Sequence, residues 1–263
     1  MDLATLIGLL LGLGGLIGGF LLEGGTMGML MQGPAALIVF GGTFGATIVG
    51  FTMEELKTVP YFFRVIFTDK KVDYLEVLDQ LVETADKARR EGLLSLESQL
   101  AEIDNPLLAR GLQLVIDGTD PELTRNMLEM EIEAYELRQK AGSDLFMAAG
   151  GFAPTMGIIG TVMGLVHVLG SMSEPDKLGS AIAGAFLATL YGVASANVLW
   201  IPFSTKIKVK AEKESLLMEL ILEGVLSIQA GENPRVIREK LMTFLPPESR
   251  ASAEEQQRQQ LGM

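Results

Sequence analysis

Two hydroxyl side chains, those of Thr161 and Thr189, stand among glycines and alanines inside two apolar runs, residues 145–173 and 178–205. Neither run contains an Asp, Glu, Lys or Arg. A threonine in such surroundings either bonds back to a carbonyl of its own helix or offers an oxygen ligand to a passing cation. Two prolines accompany the threonines. Thr161 follows Pro154 by seven residues, two helical turns along the same face, and Thr189 precedes Pro202 by thirteen. Each proline lacks an N–H and frees a carbonyl four residues back, that of Gly150 or Val198, so a kink is expected in both helices at one depth, acting as a hinge. A titratable group is missing. His167, the single histidine, sits in an otherwise apolar stretch and reads as a packed or interfacial side chain. A monovalent-cation path through these helices therefore needs a carboxylate from another chain.

Other chemistries find no support. The chain has no GxxxxGK[ST], HExxH, CxxC or nucleophile elbow, so neither enzymatic activity nor a cofactor or metal centre is expected. A net charge of −12 argues against nucleic acid as a partner, because phosphate binding needs clustered basic charge. Zero cysteines exclude disulfides and thiol chemistry.

The elements that place these groups are helices in a membrane. Each of the two runs exceeds the roughly 20 residues that span a bilayer core, and lipid cannot hydrogen-bond a backbone, so both must be helical. They form a hairpin joined by a polar turn at 174–177. Residues 3–22 make another uncharged span. Asp2 stands where a secretory signal would carry Lys or Arg, and no cleavage site follows, so the stretch reads as a membrane helix. Residues 33–53 make the remaining span, with glycines 41, 42, 45 and 50 on a small face.

Charge sets the orientation. Of 21 basic residues, 11 lie between Lys57 and Lys140 and 9 between Lys206 and Arg258; the last is Lys177. The excess of Lys and Arg places residues 54–144 and 206–263 in the cytoplasm, with both termini, and Lys177 outside. The fold class expected is all-α: a polytopic membrane protein with four transmembrane helices and a helical cytoplasmic domain. Residues 54–67 form an aromatic, amphipathic piece at the headgroup level. Apolar residues at 74, 75, 78, 81, 82 and 85 give a helix over 73–91, ended by Gly92 and resumed over 93–103. Asn105 with Pro106, and Asp120 with Pro121, open two further helices, the second running past Lys140 toward the third span. A helical extension fills 206–245, and the polar tail at 246–263 has too little apolar surface to fold.

Longer motifs carry a family resemblance. The order of two short spans, a cytoplasmic ARREGLLSLE (88–97), a proline-bearing third span, a fourth span with ATLYG (188–192) and then EGVLSIQAGENPRVIREKL (223–241) resembles the A subunit of the bacterial flagellar motor stator, the MotA/PomA/MotP family. The resemblance covers the chain up to its tail. It implies a homopentamer in the bacterial inner membrane, surrounding a dimer of a single-span, peptidoglycan-anchored B subunit of MotB/PomB type. That subunit's transmembrane Asp would supply the missing carboxylate. Passage of Na+ or H+ would turn the A ring and push the rotor protein FliG. In this resemblance Pro154 and Pro202 match the family's functional prolines. Arg89 and Glu97, with Arg90 and Glu91 beside them, match the charges that meet the rotor. Thr161 falls where sodium-driven members resemble Thr and proton-driven ones Ala, which favours Na+. The ExbB and TolQ proteins of the same superfamily resemble a three-span chain with one span before the cytoplasmic domain, and so fit less well.

Overall fold

The computed structural model describes residues 2–69, 73–170, 175–245 and 250, with the side chains of 175–177 omitted. The expected turn at 174–177 with its Lys177, and the expected disordered tail at 246–263, lie outside the described residues, the backbone of 175–177 and Arg250 excepted. All regular structure among the described residues is helical. The chain divides into two compact units, Met1–Asp69 with Gln139–Val209, and Lys70–Arg138 with Lys210–Met263.

The first unit is built on four helices long and apolar enough to cross a membrane. Helix α1 (Leu3–Leu22) starts where the Asp2 carboxylate accepts the Thr5 N–H at 3.1 Å. A 3-10 turn, Met27–Leu30, leads to α2, which is made of Gly33–Ala36, a π-turn at Leu37–Gly41, and Gly42–Gly50. It stops short of the expected residue 53, because Phe51 is extended and Thr52 caps the next helix. Two short helices follow, α3 (Met53–Lys57) and α4 (Val59–Phe67). Thr52 and Glu55 form a reciprocal capping box at the start of α3. Those bonds hold the Glu55 carboxyl below its ordinary range.

Helix α7 (Pro121–Gly170) and helix α8 (Pro175–Ser195, a π-turn at Ala196–Trp200, then Ile201–Gln229) contribute to both units. In the first unit, Phe62 and Ile66 of α4 pack with Leu145 and Phe146 of α7 and with Phe203 and Ile207 of α8. The rings meet edge-on, Phe146 with Phe63 at 5.4 Å and with Phe203 at 6.0 Å. Most other large side chains face outward, Leu10 at 73% and Val49 at 88% exposure. That is the arrangement expected where the surroundings are as apolar as the side chains.

The second unit has the opposite polarity. Helix α5 (Tyr74–Glu91) begins under the Asp73 carboxylate and ends at Gly92, whose φ of 86° suits a residue without Cβ. The next stretch differs from the α-helix expected there: Leu93–Glu102 is a 3-10 helix. Ser95 and Ser98 donate their hydroxyls to carbonyls three residues back, at Gly92 and Ser95, which favours the tighter turn. Helix α6 (Pro106–Ile116) is capped by Asn105, and Asp120 caps α7. Helix α9 (Pro234–Leu241) and a 3-10 turn, Met242–Phe244, complete it. The core is leucine and isoleucine: Leu78, Leu81, Leu96, Leu108, Leu112, Leu128, Leu220, Ile221 and Ile237 are all fully buried.

Candidate functional site

Glycines decide how close α7 and α8 come. A Cβ on Gly157 would lie 2.9 Å from the Ala188 carbonyl oxygen, and one on Gly164 would lie 2.6 Å from the Ala185 Cβ. From the other side, a Cβ on Gly192 would fall 2.4 Å from the Ala153 carbonyl oxygen. Backbone meets backbone here, through a small-residue face at helical spacing.

That approach brings the two threonines together. The Thr161 and Thr189 hydroxyl oxygens are 2.5 Å apart, and either can donate to the other. Thr161 Oγ1 also lies 2.9 Å from the Ala185 carbonyl and 3.1 Å from the Gly157 carbonyl of its own helix. Two hydroxyls and two carbonyls thus gather around one point, while Thr161 has a single hydrogen to donate. The back-bond to its own helix is present, but it is one of three contacts. Contrast Thr43 and Thr47 on α2, buried and bonded back to Val39 and Thr43. Oxygens gathered this way can turn lone pairs toward a cation once their hydrogens rotate away. His167 is exposed on α7.

The two prolines are accommodated differently. Around Pro154 the chain remains α-helical. Ahead of Pro202 the helix widens into the π-turn Ala196–Trp200, and the Ile201 N–H reaches back to the Ala196 carbonyl. Widening by one residue re-registers the ladder where the proline N–H is missing. Gly150, the residue whose carbonyl Pro154 leaves free, sits against Ile201, the neighbour of Pro202, where a Cβ would come within 2.7 Å.

Sequence reasoning missed two polar links in this unit. The Lys206 ammonium meets the buried Asp2 carboxylate at 2.7 Å, and the Asp2 N–H donates to the Phe67 carbonyl. The Tyr191 hydroxyl donates to the Leu30 carbonyl and accepts the Gln32 N–H at 3.0 Å. The signal for the second was present in ATLYG, since a phenol inside an apolar helix needs a partner for its hydroxyl.

In the second unit Arg89, Arg90, Glu91 and Glu97 are all exposed. Arg90 pairs with Asp86 one turn earlier, at 2.8 Å. Arg89 borders a cavity of about 100 Å³ with Gln229, Gly231 and Glu232. The ARREGLLSLE and EGVLSIQAGENPRVIREKL stretches, far apart in the chain, therefore meet at one surface. Glu97 follows on the 3-10 helix.

Comparison with known proteins places this architecture. The motility protein A N-terminal model matches residues 6–92, and the MotA/TolQ/ExbB proton channel family model matches residues 99–220. Motility protein A of Bacillus subtilis is 41% identical over 263 residues, covering 100% of this chain and 97% of that one. The flagellar MotAB stator complex structure from the same organism superposes with a TM-score of 0.88 at 41% identity, covering 95% and 98% of the two chains. The Campylobacter jejuni MotAB structure gives a TM-score of 0.90 at 31% identity, covering 94% and 97%. With two spanning helices ahead of residues 54–144 and matches over its length, the chain belongs to the motility protein A family within the MotA/TolQ/ExbB proton channel proteins, a family of membrane channel subunits rather than enzymes.

Proposed function

We propose that the chain is the ion-conducting, torque-generating A subunit of a flagellar motor stator, with sodium as the favoured ion. The observation that carries this is the cluster of the Thr161 and Thr189 hydroxyls with the Ala185 and Gly157 carbonyls, set in the carboxylate-free runs 145–173 and 178–205. Sodium must shed water to pass a narrow site and needs fixed oxygens in exchange; a proton needs only a carboxylate and a transient water chain. The carboxylate comes from a peptidoglycan-anchored B subunit, a dimer inside a ring of five copies of this chain. Pro154 and Pro202, flanking the Gly150 contact, act as the hinge that couples ion passage to movement. Both termini and the second unit face the cytoplasm, where Arg89, Arg90, Glu91 and Glu97 push FliG.

Thr161→Ala tests the ion. Loss of one ligand of this kind costs about 1–3 kcal/mol, so the apparent sodium affinity of the motor falls roughly ten-fold or more. The measurement is motor speed against external sodium at constant membrane potential, wild type beside variant. Wild-type rotation that ignores sodium and stops with a protonophore would make the chain a proton-driven subunit, the second reading. Sodium or proton current through liposomes that hold this chain alone would overturn the two-chain mechanism. Reversing Arg89 and Glu97 together should cut torque with membrane levels unchanged, because exposed charges contribute on the order of 0–1 kcal/mol to stability. Unchanged swimming would remove them from the rotor contact.

A further inference from the structure

Tyr191 lies two residues from Thr189 on α8 and faces a different neighbour. Its ring stacks on Phe40 at 6.4 Å with 26° between planes, and packs with Ala35, Val39 and Ala188. Its hydroxyl reaches the chain segment that enters α2, donating to Leu30 and accepting from Gln32. That segment is irregular: Met31 and Gln32 are extended, between a 3-10 turn and the helix. Extended backbone beside apolar spanning helices has few partners for its polar groups, and each one unsatisfied is costly. One phenol serves a carbonyl and an N–H two residues apart.

The segment held this way meets α8 one residue before the Ala185 carbonyl of the oxygen cluster. The Gln32 side chain covers Gly184, where a Cβ would meet its amide at 3.5 Å. The next residue, Ala185, supplies the carbonyl that Thr161 contacts. Further along α2, Ile38 backs onto Gly160 of α7, with 3.4 Å to a Cβ built there. The Tyr191 bond therefore fixes residues 30–32 against the Gly184, Ala188 and Tyr191 flank of α8, adjoining the face on which Ala185 meets Gly164.

We propose that Tyr191 is a positioning residue for the driving cation: its hydroxyl brackets residues 30–32 onto α8 beside the Thr161 and Thr189 pair, and so sets how readily the cation reaches that pair. The proposal rests on the stator reading above. It predicts a defect in cation access, not in torque or assembly.

Tyr191→Phe isolates the hydroxyl, because the ring and its stacking on Phe40 remain. In a motile strain carrying the cognate B subunit, speed is read against external cation at fixed membrane potential. The half-saturating cation concentration should rise about three- to ten-fold, with maximal speed within a factor of two and membrane levels equal to wild type. In the purified complex in nanodiscs, amide exchange at Gln32 should speed up at least ten-fold. Half-saturation within experimental error of wild type overturns the proposal, as does a fall in maximal speed alone. Unchanged exchange at Gln32 also overturns it, and this arm reads the bracket directly even if the variant fails to drive rotation. A wild-type chain that drives no cation-dependent rotation overturns the stator reading and the access role with it. The exchange arm then reports separately whether the bracket exists.

Discussion

The two units bury opposite kinds of side chain. Where α7 meets α8 in the first, the closest approaches are made by Gly157, Gly164, Ala185, Ala188 and Gly192, while large residues such as Leu10 and Val49 point outward. In the second, Leu78, Leu81, Leu220 and Ile221 are fully buried. The difference follows from the solvent. Water drives large apolar groups inward, at about 25 cal/mol per Å² buried. Lipid gives no such drive, so spanning helices gain by close backbone packing and polar contacts instead. The clustered hydroxyl and carbonyl oxygens sit in the unit whose α7–α8 seam leaves no room for a methyl at Gly157, Gly164 or Gly192; the exposed charges sit on the unit held by bulk.

The largest effect should come from adding volume where backbones touch. Gly192→Val places carbon atoms against the Ala153 carbonyl, which has no side-chain end to yield. Rotation should be abolished and α7 forced apart from α8, measured by motility and by the distance between spin labels on cysteines placed at the exposed Ile159 of α7 and Val193 of α8 in this cysteine-free chain. A motile Gly192→Val strain would show that the helices need not approach closely.

Removing volume should matter in the other unit. Leu220→Ala leaves a cavity in the leucine core and should destabilise the second unit by about 2–5 kcal/mol. Hydrogen exchange of the full chain in nanodiscs should show the loss across α5, α6, α9 and the part of α8 after Val209, with the amides of the first unit unchanged. A loss spread evenly over both units would mean that the two cores fold as one.

A smaller effect is expected at Tyr74, whose hydroxyl donates to the Lys213 carbonyl at 2.8 Å. Tyr74→Phe should cost about 1 kcal/mol. Burial first, and the nearby Glu214 charge second, push the phenol up from its ordinary value of 10.0. The folded state therefore holds the proton more tightly, and this contribution is present below pH 10 and lost as pH rises through the folded pKa. Stability measured above pH 10 should fall more in wild type than in Tyr74→Phe; parallel curves would show that the phenol plays no part in the alkaline loss.

The smallest lies at the Thr52 and Glu55 capping box. The Thr52 backbone bond first, and its hydroxyl second, lower the Glu55 carboxyl from 4.5. This contribution is present above pH 4.5 and fades as pH falls through the depressed folded value. Exchange at the first amides of α3 should rise under acid in wild type but be insensitive to the same change in Glu55→Gln. Equal acid sensitivity in the two would show that the fraying has another origin.

Much of this was legible from residue types. Uncharged length marks the spanning helices, and Asn105 with Pro106 or Asp120 with Pro121 marks a helix start, because these signals act within a few residues. The 3-10 stretch Leu93–Glu102 was not legible as such, since leucines at 93, 96 and 100 follow the α-helical period, and the serine back-bonds to Gly92 and Ser95 leave no mark in the apolar pattern. The π-turns were hidden because a proline announces a missing N–H but not how the ladder adjusts. The Thr161 and Thr189 positions were readable as hydroxyls in apolar helices. Their meeting was not, because it depends on which glycines of α7 face which alanines of α8. The bracket at Tyr191 escaped for the same reason: its partners are backbone groups, which every residue carries.

The Asp2 and Lys206 pair has a consequence for how the molecule is made. Asp2 leaves the ribosome well before Lys206, which follows only after all four spanning helices have been synthesised, so the acidic start of α1 waits through nearly the whole of their insertion without its cation. Until then the carboxylate must stay in water, which pins that end of α1 at the membrane surface during biogenesis. Closure of the pair, together with the Asp2 N–H on Phe67, becomes a late step that fastens α1 onto α8, the last of the spanning helices.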